Sequence, residues 1–150
     1  MSERSYRHVV RIAETDVSGE LKVPWGLAEV KGIGYTLALY LCRILKIDPD
    51  MKTGYLTDEE LKRVEDALKN PREYGILSWM LNRRKDYSTG SDMHLVSSDL
   101  IFYVKQDIER EKRIKSYRGI RHSLGLKVRG QRTRTTGRIG GTVGVRKQRR

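Results

Sequence analysis

Leu37, Leu41 and Leu45 fall four residues apart between Tyr35 and Lys46, flanked by Ala38, Cys42 and Ile44. This spacing predicts one apolar face of a helix. Ile47-Asp48-Pro49 ends it, because the residue before a proline resists the helical region. A second apolar stripe, Leu61, Val64 and Leu68, follows Thr57-Asp-Glu-Glu60, a hydroxyl with a carboxylate three residues on, which predicts a capping box and a helix running to Asn70-Pro71. A third stripe, Leu100, Val104 and Ile108, follows the cap signal Ser97-Ser-Asp99 and predicts a long helix to about Lys115, broken by Ser116-Tyr-Arg-Gly119. Val23-Pro24-Trp25 opens a short helical piece over about Trp25–Val30, and Lys31-Gly-Ile-Gly34 interrupts it. Tyr74–Leu81 predicts a helical turn, and Lys85–Ser91 a polar loop. His8–Ile12 reads as a short strand or arm, and Asp16–Gly19 as a turn. With no strand pair predicted and no internal repeat, the fold class is mainly α, a small helical bundle.

Charge changes this picture at the C-terminal end. From Lys112 to Arg150 there are 14 of the chain's 31 Lys and Arg and none of its 19 Asp and Glu. The remainder, Met1–Glu111, holds 17 basic and 19 acidic residues, a net of −2. A chain end of one sign repels itself and has little apolar mass, so it needs a polyanion, and nucleic acid is the commonest in a cell. The expected organisation is a helical domain with a short N-terminal arm over residues 1–117 and an extended basic tail over 118–150. Cys42 is the only cysteine, no CxxC occurs, and His8, His94 and His122 are scattered. A disulfide, a zinc site and any other metal or cofactor are therefore not expected. No stretch approaches the ~18 apolar residues of a membrane span. The N-terminus lacks a hydrophobic signal core, so the chain reads as soluble and intracellular, with no membrane partner.

Two segments carry candidate chemistry. Lys31-Gly32-Ile33-Gly34 is a glycine–apolar–glycine turn entering a helix, where open backbone N–H groups and the helix dipole suit a phosphate. Its alternative is a tight turn with glycine chosen for positive φ. The stretch Tyr117–Arg138 sets Arg118, Arg121, Lys127, Arg129, Arg132, Arg134 and Arg138 among Gly, Thr, Ser and short apolar residues, six Arg to one Lys. Guanidinium groups pair with phosphate and stack on bases. His122 is expected to contact RNA or to pack, because it has no carboxylate or nucleophile partner nearby in sequence. The acid-rich Asp58–Asp66 is expected to complement a helix dipole and not to catalyse. Trp25 and Trp79 are expected in the core.

The run YRGIRHSLGLKVRGQRTRTTGR closely resembles the signature of the universal small-subunit ribosomal protein family that is thirteenth in bacterial numbering. VKGIG, IDPD and LTDEELKRVEDALKNP follow in that family's order, and the resemblance covers about His8 to Arg150. NPREYGILSWMLNRRKD and TTGRIGGTVGVRKQRR resemble the archaeal and eukaryotic branch. The short N-terminus points to the archaeal one.

The resemblance implies a body of helix–two-turn–helix type in the head of the small subunit, bound to 16S-type rRNA, in the cytoplasm. It implies no catalytic site and a contribution to inter-subunit bridges. It also implies neighbours in a small-subunit head protein and a large-subunit protein, and a tail running toward tRNA. The implied rRNA contacts are Lys31, Gly32, Gly34, Arg118, Arg121, His122, Lys127, Arg129, Arg132, Arg134 and Arg138. The implied tRNA-proximal residues are Arg146, Lys147, Arg149 and Arg150. If extended, residues 119–150 would reach about 100 Å at ~3.3 Å per residue. The Gly140–Gly144 insert departs from the bacterial pattern. Two other classes stand beside this one: a DNA-binding or repair protein on the same body, although Met1-Ser2-Glu3 lacks a catalytic N-terminal Pro or Glu segment, and an enzyme sited on the acidic helix.

Overall fold

Strands Val9–Ile12 (β1) and Thr15–Ser18 (β2) pair antiparallel, Val10 opposite Val17 and Ile12 opposite Thr15. This computed structural model describes residues 5–136. The alternation of the strands sends Val10, Ile12 and Val17 into the core. The strand expected at His8–Ile12 therefore has a partner, and the turn lies at Ala13–Glu14, not at Asp16–Gly19. Both turn residues are left-handed, with φ of 43° and 65°. Two-residue hairpins of this kind usually select Asn-Gly or Asp-Gly. Here distant side chains hold the turn instead. Ala13 N–H donates to Glu65 Oε1 at 3.1 Å, and Ser97 Oγ–H donates to the Ala13 carbonyl at 2.6 Å.

The molecule is mainly helical and divides into two units, Met1–Val104 and Lys105–Arg150. In the first, Val23–Glu29 (α1) begins with proline in its first turn, and Tyr35–Leu45 (α2) packs against it. Leu27 and Val30 meet Leu37, Ala38, Leu41 and Cys42 in one buried cluster, and Leu45 is half-buried beside it. Left-handed Lys46 ends α2. Asp58–Lys69 (α3) carries the predicted capping box: Glu60 N–H donates to Thr57 Oγ1 at 3.3 Å, and Thr57 N–H donates to Glu60 Oε2 at 2.9 Å. Leu61, Val64, Ala67 and Leu68 complete the core from that side. Arg7 reaches across to Asp58 at 2.6 Å and ties down the N-terminal arm.

The helix predicted from Ser97 is present as Ser97–Arg113 (α4). Its stripe, however, is not core: Val104 is exposed, Leu100 and Ile108 are only partly covered, and Ser97 is its only buried residue. No helix among the described residues is long and apolar enough to cross a membrane.

The second unit contains the end of α4 and a further helix, Tyr117–Ser123 (α5), where the sequence predicts a break and an extended chain. Lys115 reverses the chain with φ 57°. Ser116 then caps α5, its Oγ accepting from Gly119 N–H at 3.0 Å and donating to the Glu111 carboxylate. Gly119 is required where α5 meets the end of α4, since a Cβ there would lie 2.1 Å from the Glu111 carbonyl oxygen. The helix closes in a Schellman motif: Leu126 N–H donates to the Arg121 carbonyl and Gly125 N–H, at φ 66°, to that of His122. Residues 127–136 contain no helix or strand.

Candidate nucleic-acid interface

The Lys31–Gly34 turn is built by two glycines with different jobs. Gly32 has φ 102°, and a Cβ on it would lie 2.4 Å from the Leu95 carbonyl oxygen. Ser97 N–H donates to the Lys31 carbonyl at 2.8 Å, which fixes the turn against the start of α4. Ile33 is buried beneath it. Gly34 is different: its backbone is extended, and nothing would come within 4 Å of a Cβ there. It is the N-cap of α2 and offers no side-chain acceptor. Gly34, Tyr35 and Thr36 are exposed, so the first-turn N–H groups of an eleven-residue helix stand uncapped beside exposed Lys31. Gly32 thus has the packing role of a tight-turn glycine, whereas Gly34 leaves the start of α2 open to solvent.

Both tryptophans depart from expectation. Trp25 is 56% exposed and lies against Tyr35, ring centroids 4.7 Å apart. Trp79, in a short 3-10 turn Ser78–Met80, is 64% exposed. Neither fits the core because that volume is filled by aliphatic side chains from β1, β2, α1, α2 and α3. Trp79 lines a concavity of about 320 Å³ with Gly32, Gly34, Thr36, Asn82 and His94. Exposed Arg84 and Lys85 line an adjoining one with Ser78, Asn82 and Asp92. Sequence reasoning misses these residues, and the signal that marks them is a tryptophan just before a polar, cationic run, Asn82–Lys85.

His94 backs this surface. Its ring is buried and Nδ1 accepts weakly from Asn82 N–H at 3.4 Å, whereas Nε2 lacks a hydrogen-bond partner. Burial pulls its pKa below the ordinary imidazole value, and the nearby Gly32 backbone partly opposes this. Asp86 organises the adjoining loop, accepting from Ser88 Oγ–H, from Arg83 Nε–H and from the Thr89 N–H, and these bonds hold its carboxyl well below the usual carboxylate range.

In the second unit Arg118, Lys127, Arg129, Arg132 and Arg134 are exposed or nearly so. Arg118 sits on α5 and not on an extended strand. Partly buried Arg121 donates from Nε and Nη2 to the Lys127 carbonyl, at 3.1 and 2.9 Å, so it folds the chain back after α5. His122, also on α5, is half-buried. Arg138, Arg146, Lys147, Arg149 and Arg150 lie outside the described residues. The acidic helix shows structural roles: Glu60 completes the cap, and Glu59 approaches Arg63 at 3.9 Å. Burial raises the Cys42 thiol to about 11. Among the described residues no cluster of His, Cys, Asp or Glu has the arrangement to hold a metal ion.

The family model described as ribosomal protein S13/S18 matches residues 11–139. The chain belongs to this family. It is 71% identical over 149 residues to the small ribosomal subunit protein uS13 of Staphylothermus marinus, covering 99% of each chain. It is 67% identical to the uS13 of Hyperthermus butylicus, covering 98% of this chain and 97% of the relative. The uS13 of Methanocaldococcus jannaschii is 46% identical over the full length of both. Membership of this family, at such identity to archaeal relatives, makes the chain archaeal in type. It also favours a ribosomal, structural role over the DNA-binding and enzymatic alternatives.

Proposed function

We propose that the chain is a non-catalytic constituent of the small-subunit head that binds 16S-type rRNA through two surfaces. The observation that carries this is the family match, which runs through the glycine turn and on into the arginine-dense segment. The body offers uncapped N–H groups at Gly34–Thr36 to backbone phosphates. Arg118 on α5, then Lys127, Arg129, Arg132, Arg134 and Arg138, supply cations for phosphates farther along. Dense negative charge offsets the self-repulsion of an arm that carries no acid after Glu111. Residues 118–150 act as the RNA-binding arm. Its end, with Arg146, Lys147, Arg149 and Arg150, approaches tRNA, and the body contributes to bridges with the large subunit beside a small-subunit head protein.

Gradient co-sedimentation tests the assignment. The full chain is expected to travel with small subunits at high magnesium. A chain ending at Tyr117 is expected to load less well and to alter subunit joining. Free sedimentation of the full chain, or normal joining with the shortened one, would contradict it.

A further inference from the structure

Trp79 leaves a large apolar ring in water at the mouth of a concavity, and it stacks on no other ring among the described residues. One wall of that concavity is the exposed Gly34–Thr36 backbone at the start of α2. Asn82 is shared with the adjoining concavity, where Arg84 and Lys85 stand exposed with no ion-pair partner among the described residues. There the Asp92 carboxylate accepts from Lys85 N–H at 2.8 Å and lies 3.9 Å from Arg72. An aromatic face beside one phosphate-suited edge, with a cationic edge reached through shared Asn82, suits a base and its flanking phosphates. A duplex hides its base faces within the stack, so its backbone could use the cations but not the indole.

We infer that this surface of the body takes an unpaired, unstacked RNA nucleotide. Its base lies on Trp79, and its flanking phosphates meet Arg84 and Lys85 on one side and the Gly34–Thr36 amides on the other. The inference rests on the rRNA-binding function above and deepens it, since it specifies single-stranded RNA at the body and not only backbone contact. The complementarity of Lys31, Arg84 and Lys85 to phosphate favours RNA over an apolar protein segment as the occupant.

The test uses the full chain carrying Trp25→Phe, so that Trp79 is the sole indole. Its fluorescence is followed while a short single-stranded RNA, or a blunt duplex with the same number of phosphates, is added. Single-stranded RNA is expected to quench Trp79. The duplex should bind with little quenching. Trp79→Ala should weaken single-stranded binding by roughly 5- to 150-fold and leave duplex affinity unchanged, whereas Trp79→Phe should keep most of the affinity. Equal quenching by both RNAs, or undiminished single-stranded affinity in Trp79→Ala, would overturn the stacking site while leaving rRNA binding intact. A protein segment would then be the better occupant. Failure of the full chain to bind either RNA would overturn both this site and the function on which it rests.

Discussion

The Leu95 carbonyl oxygen occupies the space where a side chain on residue 32 would begin: a Cβ on Gly32 would lie 2.4 Å from it. Gly34, two residues on, has open space around it. Gly32→Ala is therefore expected to destabilise the fold by about 1–3 kcal/mol from the left-handed backbone alone, with the close approach to Leu95 adding to this. Gly34→Ala should cost at most about 1 kcal/mol, as the loss of a favourable cap residue, and should weaken RNA binding by crowding the amides. Denaturant unfolding and RNA affinity, measured on both variants, check the split; equal destabilisation by the two would contradict it.

Stability should depend on His94 in a definite direction. Burial lowers the pKa of the folded ring, so below about pH 6.5 the unfolded chain binds more protons than the folded one. This contribution is complete above the unfolded pKa and is lost as pH falls from there toward the folded value. Thermal midpoints measured from about pH 7 to about pH 5 should fall more steeply for the parent than for His94→Gln. Parallel curves would place the ring in an environment no drier than water.

The acidic helix should behave as a capped surface helix. Thr57→Ala is expected to cost about 1 kcal/mol. Glu59→Gln and Glu60→Gln should produce only small losses of stability, with rRNA binding unchanged in all three. Loss of ribosomal function in a Glu59→Gln variant that is folded and stable would mean that the carboxylate has a role beyond the helix.

Gly119 is the close-packing point of the second unit. Gly119→Ala would bring a Cβ to 2.1 Å from the Glu111 carbonyl, so α5 must shift or unwind. Reduced helicity and weaker rRNA binding through Arg118 are expected, by circular dichroism and by titration. Unchanged helicity would show that α5 can form without that close approach.

Helices α2 and α3 are legible in the sequence because their apolar residues recur at helical spacing, and the Thr57–Glu60 cap because both partners lie within four residues. The β1–β2 turn is not. Its left-handed Ala13 and Glu14 carry no turn signature, and the turn is held by Glu65 and Ser97, which lie 52 and 84 residues away from Ala13. Helix α5 is hidden by Gly119, which looks like a breaker locally but is demanded by the approach of the Glu111 backbone. The glycine turn is legible as a candidate, though nothing local separates the packing role of Gly32 from the open face of Gly34. Trp79 and Trp25 are misplaced by sequence reasoning because apolar character says that burial is favourable, not that the core has room. The α4 stripe shows the converse: period alone marks a face without saying what covers it.

The central claim is that phosphate neutralisation by the arm dominates binding. Affinity for small-subunit rRNA, measured against salt for the full chain and for a chain ending at Tyr117, tests it most directly. Deleting residues 118–150 removes 11 basic residues. Each phosphate that is no longer neutralised should flatten the log–log slope by ~0.7–0.9. A markedly shallower slope with weaker binding is predicted; the same affinity and slope in both chains would contradict the account.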